Sequence, residues 1–298
     1  MKFFFQLTLT LAVAWTVAAC GGSKFSSNQG GNNSNQVAAG NPQGGTPAGG
    51  SGFPPTINPN GNQNNTPTGG LLVNQGQADC LLKKADHFNI SIVFDNSGST
   101  TKTDPSNVRQ QSALQFAKKF VEFVSLNPKA DVRMSAIKFA RNTTRGPHGW
   151  VKLSVSNEQE IAGDIIASTT GSEGGTSYTP AVAESGRLMA EAGANPSDKR
   201  QRNYTIFLSD GQPNGSGESK STVNLLFDPL VNQYGVAVYS IGAGSGLTAG
   251  DEQVMQSLAK PTTGIVSPQH VGMYKRGASP AELQNAWDQI FNQIATCD

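Results

Sequence analysis

Ile90-Ser91-Ile92-Val93-Phe94 is a short, almost continuous apolar run, and it stops at Asp95-Asn96-Ser97-Gly98-Ser99. A run of this length, rich in β-branched residues and bounded by polar ones, reads as a strand buried on both faces. Tyr204-Thr205-Ile206-Phe207-Leu208 repeats the pattern and also stops at an acid, in Ser209-Asp210-Gly211. Val236 to Ile241 is another such run, closed by Gly242-Ala243-Gly244. Strands buried on both faces need helices on both faces.

The intervening segments supply those helices. Val108, Ala113, Leu114, Phe116, Ala117, Phe120, Val121 and Val124 recur at three-to-four spacing, which predicts a helix over 106–126, ended by Asn127-Pro128. Residues 130–139 and 150–155 read as further strands. Helices are expected over 157–168, from Pro180 to about Ala192, and over 219–232, 250–259 and 281–296, with a weak strand somewhere in 264–274. The expected fold is α/β: a doubly wound, mostly parallel central sheet flanked by helices. The 219 residues from 80 to 298 suffice for one such domain. In these sheets ligands bind beyond the carboxyl ends of the strands, at a switch point. Asp95 and Asp210 are expected at that edge.

The remainder of the chain sets the setting. Residues 1–19 read as an export signal, with Lys2 ahead of an apolar stretch too short to be a confident membrane span. Val17-Ala18-Ala19-Cys20 resembles the lipobox of bacterial lipoproteins, which implies lipidation at Cys20. Residues 20–79 are expected to be a disordered tether: between 21 and 70, Gly, Asn and Pro make up 29 of 50 residues. As a flexible coil it would span about 40 Å. The expected location is the cell envelope, at the outer membrane if the cell has two, facing either the surface or the periplasm. The domain carries 20 Lys+Arg against 20 Asp+Glu, which gives no support to nucleic-acid binding or a basic membrane-docking face. The two other cysteines, Cys80 and Cys297, stand at its edges and are predicted to form a disulfide, since exported proteins tolerate disulfides and domain termini often lie close together.

Asp95, Ser97 and Ser99 place three oxygen-bearing side chains at alternate positions after a strand. Asp210 follows another strand, and Gly174-Gly175-Thr176 lies between them in sequence. Five oxygens in one crevice, completed by water, suit a hard divalent cation. Together with the 236–242 strand, these motifs resemble a von Willebrand factor type A domain carrying a metal-ion-dependent adhesion site, and the likeness covers 85–297. The resemblance implies that Ser97 and Ser99 bind the metal directly, and Thr176 when a ligand is present. Asp95 and Asp210 would act mainly through waters. The metal implied is Mg²⁺, with Ca²⁺ or Mn²⁺ open. The implied partner is a protein offering Asp or Glu to the metal, and the domain is expected to be a binding module, not an enzyme. Asn96 and Gly98 read as fillers, Gly98 and Gly211 as residues permitting tight turns, and Ser177-Tyr178-Thr179 as residues of the site's rim.

Three alternatives remain. The same site would serve an assembly factor docking inside an envelope complex. Ser99-Thr100-Thr101-Lys102 matches the Ser-x-x-Lys of acyl-transferring serine enzymes, but that reading gives Asp95, Thr176 and Asp210 no role. A phosphatase nucleophile at Asp95 would want a second Asp where Ser97 stands. His87, His148 and His270 lack zinc spacing, and Gly242 to Gly246 lacks the Lys-Ser/Thr of a phosphate loop.

Overall fold

The computed structural model describes residues 87–104, 106–211, 213–214, 218–260 and 272–295. The signal, the tether, Cys20, Cys80, Cys297 and His270 lie outside the described residues, as does most of the weak strand expected in 264–274. Strands β1 (His87–Asp95), β2 (Asp131–Phe139), β5 (Gln201–Ser209), β6 (Val236–Ala243) and β7 (Tyr274–Gly277) pair in parallel. Two short strands, β3 (Thr143–Arg145) and β4 (Val151–Lys152), pair antiparallel with β2. The order is β3-β2-β1-β5-β6-β7, with β4 also on β2. The chain passes from β1 to β2 on one side, then returns to place β5 on the other. The switch point therefore lies between β1 and β5, and Asp95 and Asp210 sit at its carboxyl edge.

The helices are α1 (Thr100–Thr103), α2 (Val108–Leu126), α3 (Glu158–Thr169), α4 (Tyr178–Glu191), α5 (Lys220–Val223), α6 (Asp228–Tyr234), α7 (Ala249–Leu258) and α8 (Pro280–Ile294). Two cores result from the pleat of the central strands. Ile90, Ile92 and Phe94 of β1 join Tyr204, Ile206 and Leu208 of β5 beneath α2, α3 and α8. Val93 and Phe207 point the other way, towards α4, α6 and α7. The first core is aromatic at its centre: Phe116 lies 4.6 Å from Trp287, and Phe120 5.0 Å from Phe291, ring centre to ring centre. Ser91 faces the second core and is buried against the Ser185 hydroxyl at 3.3 Å.

Several expectations need correction. The first helix begins at Val108, and the separate turn α1 precedes it. The 150–155 strand is reduced to Val151–Lys152, and β3 was not foreseen. Helix α4 starts at Tyr178, so Pro180 lies inside its first turn, where no amide donor is needed. The single helix over 219–232 is two helices, because a turn separates Val223 from Asp228 and Pro229 opens α6. The last described strand, Tyr274–Gly277, meets the predicted 264–274 window at Tyr274, and residues 264–271 of that window lie outside the described residues.

Candidate metal centre

Asp95 ends β1 and is fully buried. One of its oxygens accepts the Ser97 amide at 2.9 Å, folding the Asp-x-Ser turn back on itself. The other accepts the Ser209 hydroxyl at 2.5 Å from the end of β5. The Ser97 and Ser99 hydroxyls are 3.0 Å apart. The Ser99 hydroxyl donates to Asp210 at 2.9 Å. Hydrogen bonds thus join Asp95, Ser97, Ser99 and Asp210, four of the five expected residues, across two loops separated by more than a hundred residues. Thr176, the fifth, is buried near the end of the loop that precedes α4. That loop is tied to the first one: the Glu173 amide donates to the Asn96 carbonyl at 2.9 Å, and Ser97 and Glu173 form a parallel bridge.

The electrostatics favour a cation. Burial pushes the Asp95 carboxyl up to about 6, the Asp210 charge adds to this, and the hydrogen bonds from Ser209 and Ser97 pull it partly back. Among the described residues, neither Asp95 nor Asp210 forms an ion pair with a Lys, Arg or His. Two adjacent buried carboxylates without a counter-charge are costly. A divalent ion would supply the missing charge, and hydroxyl donors in its shell leave it able to attract a further carboxylate. The residues present therefore fit a hard divalent cation. Among the described residues, His, Cys, Asp and Glu form no cluster of three that could hold a metal ion.

A second layer escaped sequence reasoning. Tyr178 is buried rather than on the rim. Its single phenol proton is shared between the Gly211 carbonyl at 2.5 Å and the Ser209 hydroxyl at 3.0 Å; burial keeps it protonated. A chain of donors thus runs Tyr178 to Ser209 to Asp95. Asn96 is no filler: it is buried, its amide bonds to Phe139 O at 2.7 Å and its side chain to Thr170 O at 3.1 Å. Buried Arg109 bonds the backbone carbonyl of Asp95 and pairs with Asp104 at 2.9 Å. Thr103 donates to Asp210 at 2.5 Å. Asn214 holds Thr176 by both backbone groups, at 2.6 and 2.8 Å, and Glu218 accepts from Ser177 Oγ and the Tyr178 and Thr179 amides at the N-terminus of α4. The only advance signal for Asn214 and Glu218 was their place in the loop after Asp210.

The glycines also sort differently from expectation. Gly98 and Gly211 do not have positive φ, so their turns do not demand glycine. Gly175 does, at +87°, which places a left-handed residue immediately before Thr176. Ser99's hydroxyl is committed to Asp210, and Lys102 is exposed to solvent on α1, so the Ser-x-x-Lys pattern is not assembled as a nucleophile and its base.

The described residues contain no helix long and apolar enough to cross a membrane. No curated protein matches the chain significantly. Among solved structures, the D319A mutant of the PilB minor pilin from Streptococcus sanguinis superposes with a TM-score of 0.50 at 12% identity, covering 70% of this chain and 61% of that one. Proximal thread matrix protein 1 from the mussel byssus, with a zinc-occupied MIDAS motif, gives 0.49 at 21% identity over 72% and 47%. The pilus adhesin SpaC from Lactobacillus rhamnosus GG gives 0.49 at 16% over 71% and 31%. The chain thus spans between about a third and three-fifths of these proteins. The likeness is one of fold. A family model for the von Willebrand factor type A domain matches residues 89–286, most of the described region and both acid-terminated strands. The chain belongs to the von Willebrand factor type A domain family.

Proposed function

We propose that this protein is a lipid-anchored, non-enzymatic binding module that grips an acidic side chain of a partner protein through a divalent cation. Asp95, Ser97, Ser99, Thr176 and Asp210 would hold the ion, with Mg²⁺ the first candidate because hard oxygen donors and retained waters suit it. The observation that carries this reading is the hydrogen-bonded joining of Asp95, Ser97, Ser99 and Asp210 around two buried carboxylates that have no cationic partner among the described residues. The ion supplies the positive charge. The chain's own residues do the rest: Ser209 and the Ser97 amide orient Asp95, Thr103 orients Asp210, and Asn214 fixes the loop that carries Thr176.

The Cys20 lipid, the tether over 20–79 and the Cys80–Cys297 bridge belong to the same proposal. They would hold a stapled domain away from an envelope membrane, where it meets partners outside the cytoplasm. Pull-down from whole cells and envelope fractions, with and without EDTA, tests the reading. Capture by the wild-type domain should disappear with EDTA and in Asp95→Ala. Capture that survives both changes overturns it.

A further inference from the structure

The surface beside the metal centre is not flat. A cleft of about 190 Å³ opens between the end of α1, the loop after β6 and the start of α8. Its walls include Thr103, Ser245, Ala278, Pro280 and Leu283. Thr103 is shared: its hydroxyl donates to Asp210, while the residue also lines the cleft. The cleft therefore begins one side chain away from Asp210.

Two glycines let its walls approach closely. Gly244, at a φ of +115°, would drive a Cβ to within 2.8 Å of Thr103 Cβ. A Cβ on Gly277 would come within 2.8 Å of Leu283 Cδ1. The charged residues in the lining are Asp104 and Arg109, which are buried and paired with each other at 2.9 Å. They offer a charged occupant no partner. An apolar cavity of about 150 Å³ accommodates a molecule the size of benzene, so this cleft has room for one branched aliphatic or aromatic side chain.

We infer that this cleft is a specificity subsite for an apolar side chain of the partner, placed about one to three residues from the acid that meets the metal. The spacing follows from the shared wall at Thr103 and the roughly 3.3 Å advance per residue of an extended chain. The inference rests on the metal-site reading and adds the chemistry of the ligand: an acid with a Leu-, Ile- or Phe-like neighbour. The neutral, glycine-floored lining selects against a charged neighbour, because burying that charge without a partner is costly.

Fluorescein-labelled octapeptides test this directly. Each carries one Glu, with Leu, Phe or Ser one, two or three residues to either side, and is titrated with the full-length protein in Mg²⁺ or EDTA. In Mg²⁺, a Leu or Phe peptide should bind about tenfold or more tightly than its Ser counterpart. Ala278→Trp and Ser245→Trp, which fill the cleft from opposite walls, should erase that preference while leaving the Mg²⁺-induced thermal shift unchanged. Equal affinity for Leu, Phe and Ser peptides, or a preference that survives both variants, overturns the subsite and leaves the metal site standing. Absence of Mg²⁺-dependent binding by every acidic peptide overturns the metal reading itself. Concentration-dependent self-association abolished by Ala278→Trp assigns the cleft to a second copy and also overturns the subsite.

Discussion

At the scale of single residues, Asp95 concentrates the conflict that the site resolves. A carboxyl that titrates near 3.8 when unfolded and near 6 when buried binds its proton more tightly in the folded state. Its contribution to stability is complete below the unfolded value and is lost as pH rises through about 6, amounting to about 3 kcal/mol for the metal-free protein. Denaturation of EDTA-treated protein across pH 4 to 7 should show that loss as the difference between wild type and Asp95→Asn; a constant difference contradicts it. The same proton competes with the metal, so Mg²⁺ affinity should weaken by up to about tenfold per pH unit below 6, measured by titration calorimetry. Tyr178→Phe removes the donor behind Ser209. It should cost about 1 kcal/mol of stability in thermal unfolding and weaken Mg²⁺ binding several-fold without abolishing it.

At the scale of elements, the loops around the centre behave as a clamp. The loop after β5 carries Asp210 at its start and reaches back to the Thr176 loop through Asn214 and Glu218. Glu218 also caps α4, where its carboxyl is held below the ordinary range by hydrogen bonds from Thr179, Tyr178 and Ser177, against the opposing cost of partial burial. Glu218→Gln should lower stability by about 1 kcal/mol through the lost charge-assisted bonds at a helix N-terminus, read as a fall in melting temperature. This clamp was invisible in the sequence, because a polar loop of Asn, Gly, Ser and Glu has no periodicity to announce which side chains turn inward. The buried strands were legible for the opposite reason. β1, β5 and β6 are apolar on both faces, and their acids fall at strand ends where the pattern breaks. Edge strand β3 was not, and β4 was foreseen but drawn too long, since two or three residues cannot establish a period. The helix over 219–232 failed because the apolar residues Val223, Leu226 and Phe227 sit at helical spacing while the chain between them turns.

At the scale of the whole described domain, the sheet does two jobs with one arrangement. Two hydrophobic layers hold β1 and β5 side by side, and the order reversal between them brings distant acids to one edge. The core is thereby separable from the site. Trp287→Ala, in the aromatic layer below, should cost about 3–5 kcal/mol in chemical denaturation, whereas Asp95→Ala should leave the fold intact. All five expected site residues were read from the sequence; hydrogen bonds join four of them in space, and Thr176 is buried on the loop tied to theirs. The central claim is that these residues form one cation site. Titration calorimetry of Mg²⁺ into the metal-free protein tests it most directly. One saturable site in the wild type, absent in Asp95→Ala with an unchanged circular dichroism spectrum, is the predicted result. Saturable binding that persists in Asp95→Ala, or no binding by the wild type, would contradict it.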